Sequence, residues 1–99
     1  MVVNWEKLVR EKDQKKIDVN GQTIVVNPID WYTDEKIMSS FIRVNPQTKQ
    51  AEVDTAGYQL NLMRKFIVDC PGDHILKNLD PKIKEQIIEA ITGKKEKKN

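Results

Sequence analysis

Between Ile17 and Val26, apolar and polar residues alternate on either side of Asn20-Gly21, the period-two pattern of a half-buried strand pair. Asn-Gly suits a type I′ turn, whose two central residues both take positive φ. Closing the chain there places Val19 opposite Gln22, Asp18 opposite Thr23 and Ile17 opposite Ile24. Ile17, Val19, Ile24 and Val26 then share one face, while Asp18, Thr23 and an exposed Val25 lie on the other. Pro28 cannot donate to a ladder and biases Asn27 away from the helical region, so the second strand stops there. An isolated hairpin is marginal in water. With both of its edges unpaired in this reading, the expectation is that another protein chain completes the sheet.

The remaining apolar positions follow the helical period. Asn4 caps a first helix in which Trp5, Leu8 and Val9 fall at i, i+3 and i+4. Thr33-Asp34-Glu35 opens a second helix with a capping hydroxyl and acidic first turn, carrying Ile37, Met38, Phe41 and Ile42 as one stripe. Residues 45–50 form a polar loop with a proline-initiated turn. Asp54 caps the longest helix, about 55–69, whose stripe of Ala56, Leu60, Met63, Phe66, Ile67 and Cys70 is widened by Tyr58 and Leu62. Pro71-Gly72 ends that helix, and Asp73 caps a single turn through Leu76. Asp80-Pro81 is a strong helix start, Ile83, Ile87, Ile88 and Ile91 give the next apolar face, and Gly93 terminates it. The expected fold is α+β and mostly α, one β-hairpin followed by a small helical bundle. It forms a single domain over residues 1–93 with a disordered basic tail over 94–99.

Ninety-nine residues bury a thin core. With 32% charged residues against 38% hydrophobic ones, such a chain tends to finish its burial in a complex. Four lysines against Glu96 put +3 into residues 94–99, so the rest of a chain of net charge +2 carries −1. The basic excess is therefore a solvated end and not the folded basic patch that nucleic-acid binding requires. Cys70 is the only cysteine, which fits a reducing cytoplasm. There is no apolar signal core and no apolar run approaching the roughly 20 residues of a membrane span.

Catalytic constellations are weak. Cys70, Asp73 and His74 lie within five residues, but nucleophilic chemistry needs an oriented base and an oxyanion site, which adjacency alone does not supply. His74 is the only histidine, and the cluster lacks zinc-ligand spacing. The glycines match neither GxGxxG nor a phosphate loop. No catalytic, cofactor or metal site is expected. Trp31-Tyr32 stands among Asp30, Asp34 and Glu35, which would repel phosphate. Core packing at the strand–helix junction is its first reading, and a hydrophobic anchor for a protein partner its functional one. Trp5 and Leu8 on a short helix either pack on the hairpin or dock in a neighbouring subunit.

Residues 17–91 as a whole resemble the small α+β tail assembly chaperones of tailed phages. The likeness runs through the Val19-Asn20-Gly21-Gln22 hairpin and the Pro28-Ile29-Asp30 junction. It continues through the acidic-capped helix over 54–70, the Val68-Asp69-Cys70-Pro71-Gly72 break and the final helix from Leu79-Asp80-Pro81. The resemblance implies a non-enzymatic cytoplasmic protein of an infected or lysogenic bacterium that binds the tape measure protein and recruits tail tube subunits, often self-associating. The residues expected to make protein contacts are Trp5, Leu8, Trp31, Tyr32 and Phe41. The competing reading is a small nucleic-acid-binding regulator that uses the lysine tail.

Overall fold

The computed structural model describes residues 2–9 and 13–94. They form a 3₁₀ turn (Trp5–Leu8), β1 (Lys15–Val19), β2 (Gln22–Val26), α1 (Trp31–Ser39), β3 (Ile42–Val44), β4 (Ala51–Val53), α2 (Thr55–Phe66), α3 (Asp73–Lys77) and α4 (Pro81–Thr92). The class is α+β, with two separate antiparallel hairpins instead of one. Residues 95–99, most of the expected tail, lie outside the described residues.

The first hairpin has the expected register, with Ile17 opposite Ile24, Asp18 opposite Thr23 and Val19 opposite Gln22. Asn20 and Gly21 take φ of 50° and 78°, the two positive angles of a type I′ turn. α4 packs against both strands; Val26 is buried, and Ile17 and Ile24 are half-buried against the core. The expectation of two open edges is corrected. The Val68 amide donates to the Val25 carbonyl at 2.9 Å, and Asn27 donates to Phe66 at 2.8 Å. An antiparallel bridge joins Val26 to Ile67. The chain itself therefore covers the β2 edge and half-buries Val25. Among the described residues, no third strand lies beside β1.

That bridge also explains why α2 stops at Phe66 and does not run on to 69. Ile67 is extended, with φ −84° and ψ 127°, because its backbone pairs with β2 instead of continuing the helix. At the other end Asp54 Oδ1 accepts from the Gly57 amide at 3.1 Å, the expected cap. Gly57 has a further role, since a Cβ there would lie 2.5 Å from Asp54 Oδ2 and 3.2 Å from Phe41 Cδ1. Glycine is what lets the cap and the Phe41 ring close over the first turn.

α1 begins three residues before the expected start, because Asp30 and not Thr33 is the cap: its Oδ1 accepts from the Thr33 amide at 2.6 Å. The helix ends at Ser39, so Phe41 turns inward while Ile42 enters β3. β3 and β4 pair Ile42 with Val53, Arg43 with Glu52 and Val44 with Ala51. The polar 45–50 loop is the turn of this second hairpin, tightened where Asn45 Oδ1 accepts from Gln47 at 2.9 Å. The N-terminal segment forms a single 3₁₀ turn with no side-chain cap from Asn4. Four residues cannot carry the nucleation cost of a helix without a packed face, and Trp5, Leu8 and Val9 are all exposed.

The core joins Val26 and Ile29 to Tyr58, Leu62 and Met63 of α2, Leu76 of α3, and Ile87 and Ile91 of α4. Burying each large aliphatic side chain contributes about 1.5–3 kcal/mol. Asp80 caps α4 through the Lys82 amide at 2.9 Å. Gly93 ends it in the left-handed conformation, φ 74°. The Ile29 amide donates to the Ile91 carbonyl at 2.9 Å, tying the strand–helix junction to the end of α4. Asp73 does not cap α3; Gly72 occupies that position.

Candidate protein-interaction surface

Because Asp30 starts the helix, Trp31 and Tyr32 fall in the first turn of α1 on its outer side. Their relative exposures are 73% and 58%, so the core-packing reading is overturned. The two rings meet edge to face, with centroids 6.0 Å apart and planes at 81°, a favoured aromatic geometry. One helical turn on, the Lys36 ammonium lies 5.6 Å from the Tyr32 ring centroid, a cation–π distance.

The inner side of the same turn carries Asp34, which is only 1% exposed. Its Oδ1 accepts from the Tyr58 hydroxyl, and its Oδ2 accepts from the Lys94 ammonium at 2.7 Å. Lys94 Nζ also lies 3.9 Å from Glu35 Oε1. Burial, then the hydrogen bond to Asp34, pushes the Tyr58 phenol far above its ordinary range. The hydrogen bond to Asp34 likewise raises Lys94. A buried carboxylate must be paired to be tolerated, and here its partners come from α2 and from the residue just past the α4 cap. Lys94, expected in the loose tail, is thus part of the fold. The result fixes α1 from beneath and presents Trp31 and Tyr32 on a braced helix.

Of the other expected contact residues, Phe41 lies on the inner side. It is half-buried and 6.5 Å from the Tyr58 ring in a tilted packing. It supports the surface from inside and is not part of its exposed area. Trp5 and Leu8 are exposed on the N-terminal turn, apart from the residues packed on the core. The structure adds Ile42, Val44 and Val53, exposed on the second hairpin. Their signal was the alternation of apolar residues at 42, 44, 51 and 53 around a polar loop.

The Cys70, Asp73 and His74 side chains form no hydrogen-bonded relay among the described contacts. Asp73 forms a two-pronged ion pair with Arg64, the Nε contact being 2.8 Å. That hydrogen bond holds the Asp73 carboxyl below its usual range. His74 is exposed, and Asn78 Nδ2 donates to its carbonyl at 2.6 Å. Cys70 is half-buried, and burial pushes its thiol up, away from the reactive thiolate. Among the described residues, no three histidine, cysteine, aspartate or glutamate side chains gather as a metal site. A groove of about 600 Å³ between α2, α3 and α4 is lined mainly by Ala56, Leu60, Met63, Leu76, Leu79 and Pro81. Asp54, Lys77 and Lys84 stand among its polar lining; Asp54 caps α2, and Lys84 Nζ donates to Gln59 Oε1 at 3.0 Å.

No described helix is long and apolar enough to cross a membrane. Comparison with protein-family models, curated proteins and solved structures finds no match to this chain.

Proposed function

We propose that this protein is a non-enzymatic assembly factor that binds another protein through the outer face of α1. In its concrete form the reading is a phage or prophage tail assembly chaperone, acting in the bacterial cytoplasm on an apolar segment of the tape measure or tail tube protein. The observation that carries it is the exposed Trp31–Tyr32 pair on a helix braced by Asp34. Large aromatics on rigid elements dominate interface energies, and fixing them beforehand reduces the entropy lost on binding. Trp5 and Leu8, also exposed, offer a second contact. The sequence resemblance to tail chaperones supplies the class of partner.

The test is titration of purified tape measure protein with the wild-type chain and with a Trp31→Ala, Tyr32→Ala double variant. Each aromatic anchor contributes about 2 kcal/mol when truncated, so binding weakens at least about tenfold. The variant's melting curve stays close to wild type, because both side chains project into solvent. Undiminished binding by a folded double variant refutes the role of α1. Binding to nucleic acid that collapses with salt would replace the reading with that of a regulator.

A further inference from the structure

We propose that the groove between α2, α3 and α4 binds a single-chain amphipathic carboxylate free in solution, with the chain on the apolar lining and the head at Lys84. No residue of α1 lines this groove, and the inference stands whatever the outer face of α1 binds.

The apolar part comes from side chains that serve the core and the groove together. Leu60 and Met63 stand one turn apart on α2, Leu76 lies on α3, and Leu79 precedes the α4 cap. Met63 and Leu76 are buried, while Leu60 and Leu79 are half-buried. The groove's volume of about 600 Å³ falls within the range of about 300–1,000 Å³ typical of small-molecule sites. Leu76 and Leu79 also line a second cavity of about 270 Å³, together with Ile67, Val68 and Ile87. Apolar space therefore continues past these two leucines, which suits an elongated chain. Two turns of a peptide helix, about 11 Å long and 10 Å across, exceed the volume of the groove.

Lys84 supplies the polar end. It is half-buried, and its Nζ donates to the neutral Gln59 Oε1 at 3.0 Å. Among the described residues, no carboxylate forms an ion pair with it. Lysine is rarely covered without a counter-charge, and its ammonium has three donors, of which Gln59 takes one. An incoming carboxylate provides the charge-assisted hydrogen bond that the fold does not. Lys77 adds a second positive charge to the lining. Asp54, the acidic member of the lining, is already engaged: Oδ1 accepts from the Gly57 amide at 3.1 Å, and Oδ2 lies 3.9 Å from Arg43 Nη2. The groove thus sets a net positive rim beside an apolar floor, which selects an anionic chain over a neutral or cationic one.

The experiment is isothermal titration of the full chain with sodium decanoate at submillimolar concentration, where it is monomeric. Decanol and decyltrimethylammonium serve as neutral and cationic chains of equal length. Decanoate is expected to saturate one site about tenfold or more tighter than decanol, and the cation to show no saturation. Lys84→Met keeps the apolar stem and removes the charge, so decanoate falls to the affinity of decanol while decanol is unchanged. Ala56→Phe, at an exposed position of the lining, fills the groove and weakens both. Neither residue belongs to the buried core, so circular dichroism of the variants should match wild type. The three head groups on the wild-type chain test charge selection without any variant. Absence of saturable decanoate binding overturns the proposal. So does a cation that binds as well, or a folded Lys84→Met or Ala56→Phe that binds decanoate like wild type. An acidic helical peptide that saturates the groove where decanoate does not would also overturn it.

Discussion

Replacing Tyr58 by phenylalanine removes one oxygen and keeps the ring against Phe41, so it isolates the buried hydrogen bond to Asp34. Asp34 is essentially inaccessible to water, and the Lys94 ammonium remains on its other oxygen. The carboxylate thus loses a neutral donor but keeps its counter-charge. Hydrogen bonds to charged groups contribute about 1.5–3 kcal/mol, and with Lys94 retained a loss of about 2 kcal/mol is expected. In a domain of this size that lowers the melting temperature by about 8–16 °C.

The pH dependence gives an independent signature. In the unfolded chain Tyr58 loses its proton near its ordinary value of 10.0, whereas the folded protein holds it to higher pH. Above about pH 10 the native state therefore binds more protons than the unfolded state, and stability falls as pH rises, by up to about 1.4 kcal/mol per unit. Lys94, also raised, acts with the same sign: its contribution is complete below the ordinary lysine range and lost as pH climbs through the folded value. Tyr58→Phe should remove the first component and leave the second. Urea unfolding of both proteins from about pH 8 to about pH 11 reads both effects. A change under about 0.5 kcal/mol at neutral pH, or alkaline limbs of equal slope, would refute the assignment of Asp34 as a tyrosine-bonded buried carboxylate.

Two further outcomes follow from backbone geometry. Gly57→Ala raises helix propensity by about 1 kcal/mol in an open helix, but here its Cβ meets the Asp54 carboxylate and Phe41. The cap is displaced, and net destabilisation of about 1 kcal/mol is expected by thermal melting. Gly21→Ala meets no neighbouring atom, yet its φ of 78° costs an L-residue about 1 kcal/mol. The loss should appear in denaturant midpoint with an unchanged m-value, whereas a change in m would point to altered strand pairing.

What could be read from the residues was whatever a short stretch decides by itself. Asn20-Gly21 with flanking alternation specified a turn type and therefore a register. Asp54, Asp80-Pro81 and Gly93 each marked a helix boundary through a local cap. The misreadings share a different cause. α2 ends early because Ile67 and Val68 pair with a strand forty residues upstream, a competition invisible in the helical stripe. Ile42 fits both the stripe of α1 and the alternation of β3, and three-residue strands give the second pattern little weight. Asp34 reads as a helix-start carboxylate until Tyr58 and Lys94, 24 and 60 residues away, enclose it. On the interaction surface, sequence named Trp31 and Tyr32 as contact residues, although its first reading packed them into the core. Moving the cap from Thr33 to Asp30 shifts them to the outer side of the first turn.

The Ile29–Ile91 and Asp34–Lys94 contacts also set a timetable for synthesis. The first hairpin is local and can close within microseconds of leaving the ribosome. Its apolar face nevertheless waits for α4, and α1 cannot be latched until Lys94 has emerged. Until α4 has emerged, a nascent chain therefore carries Val26, Leu62 and Met63 uncovered, and the core they form closes only once that helix is delivered.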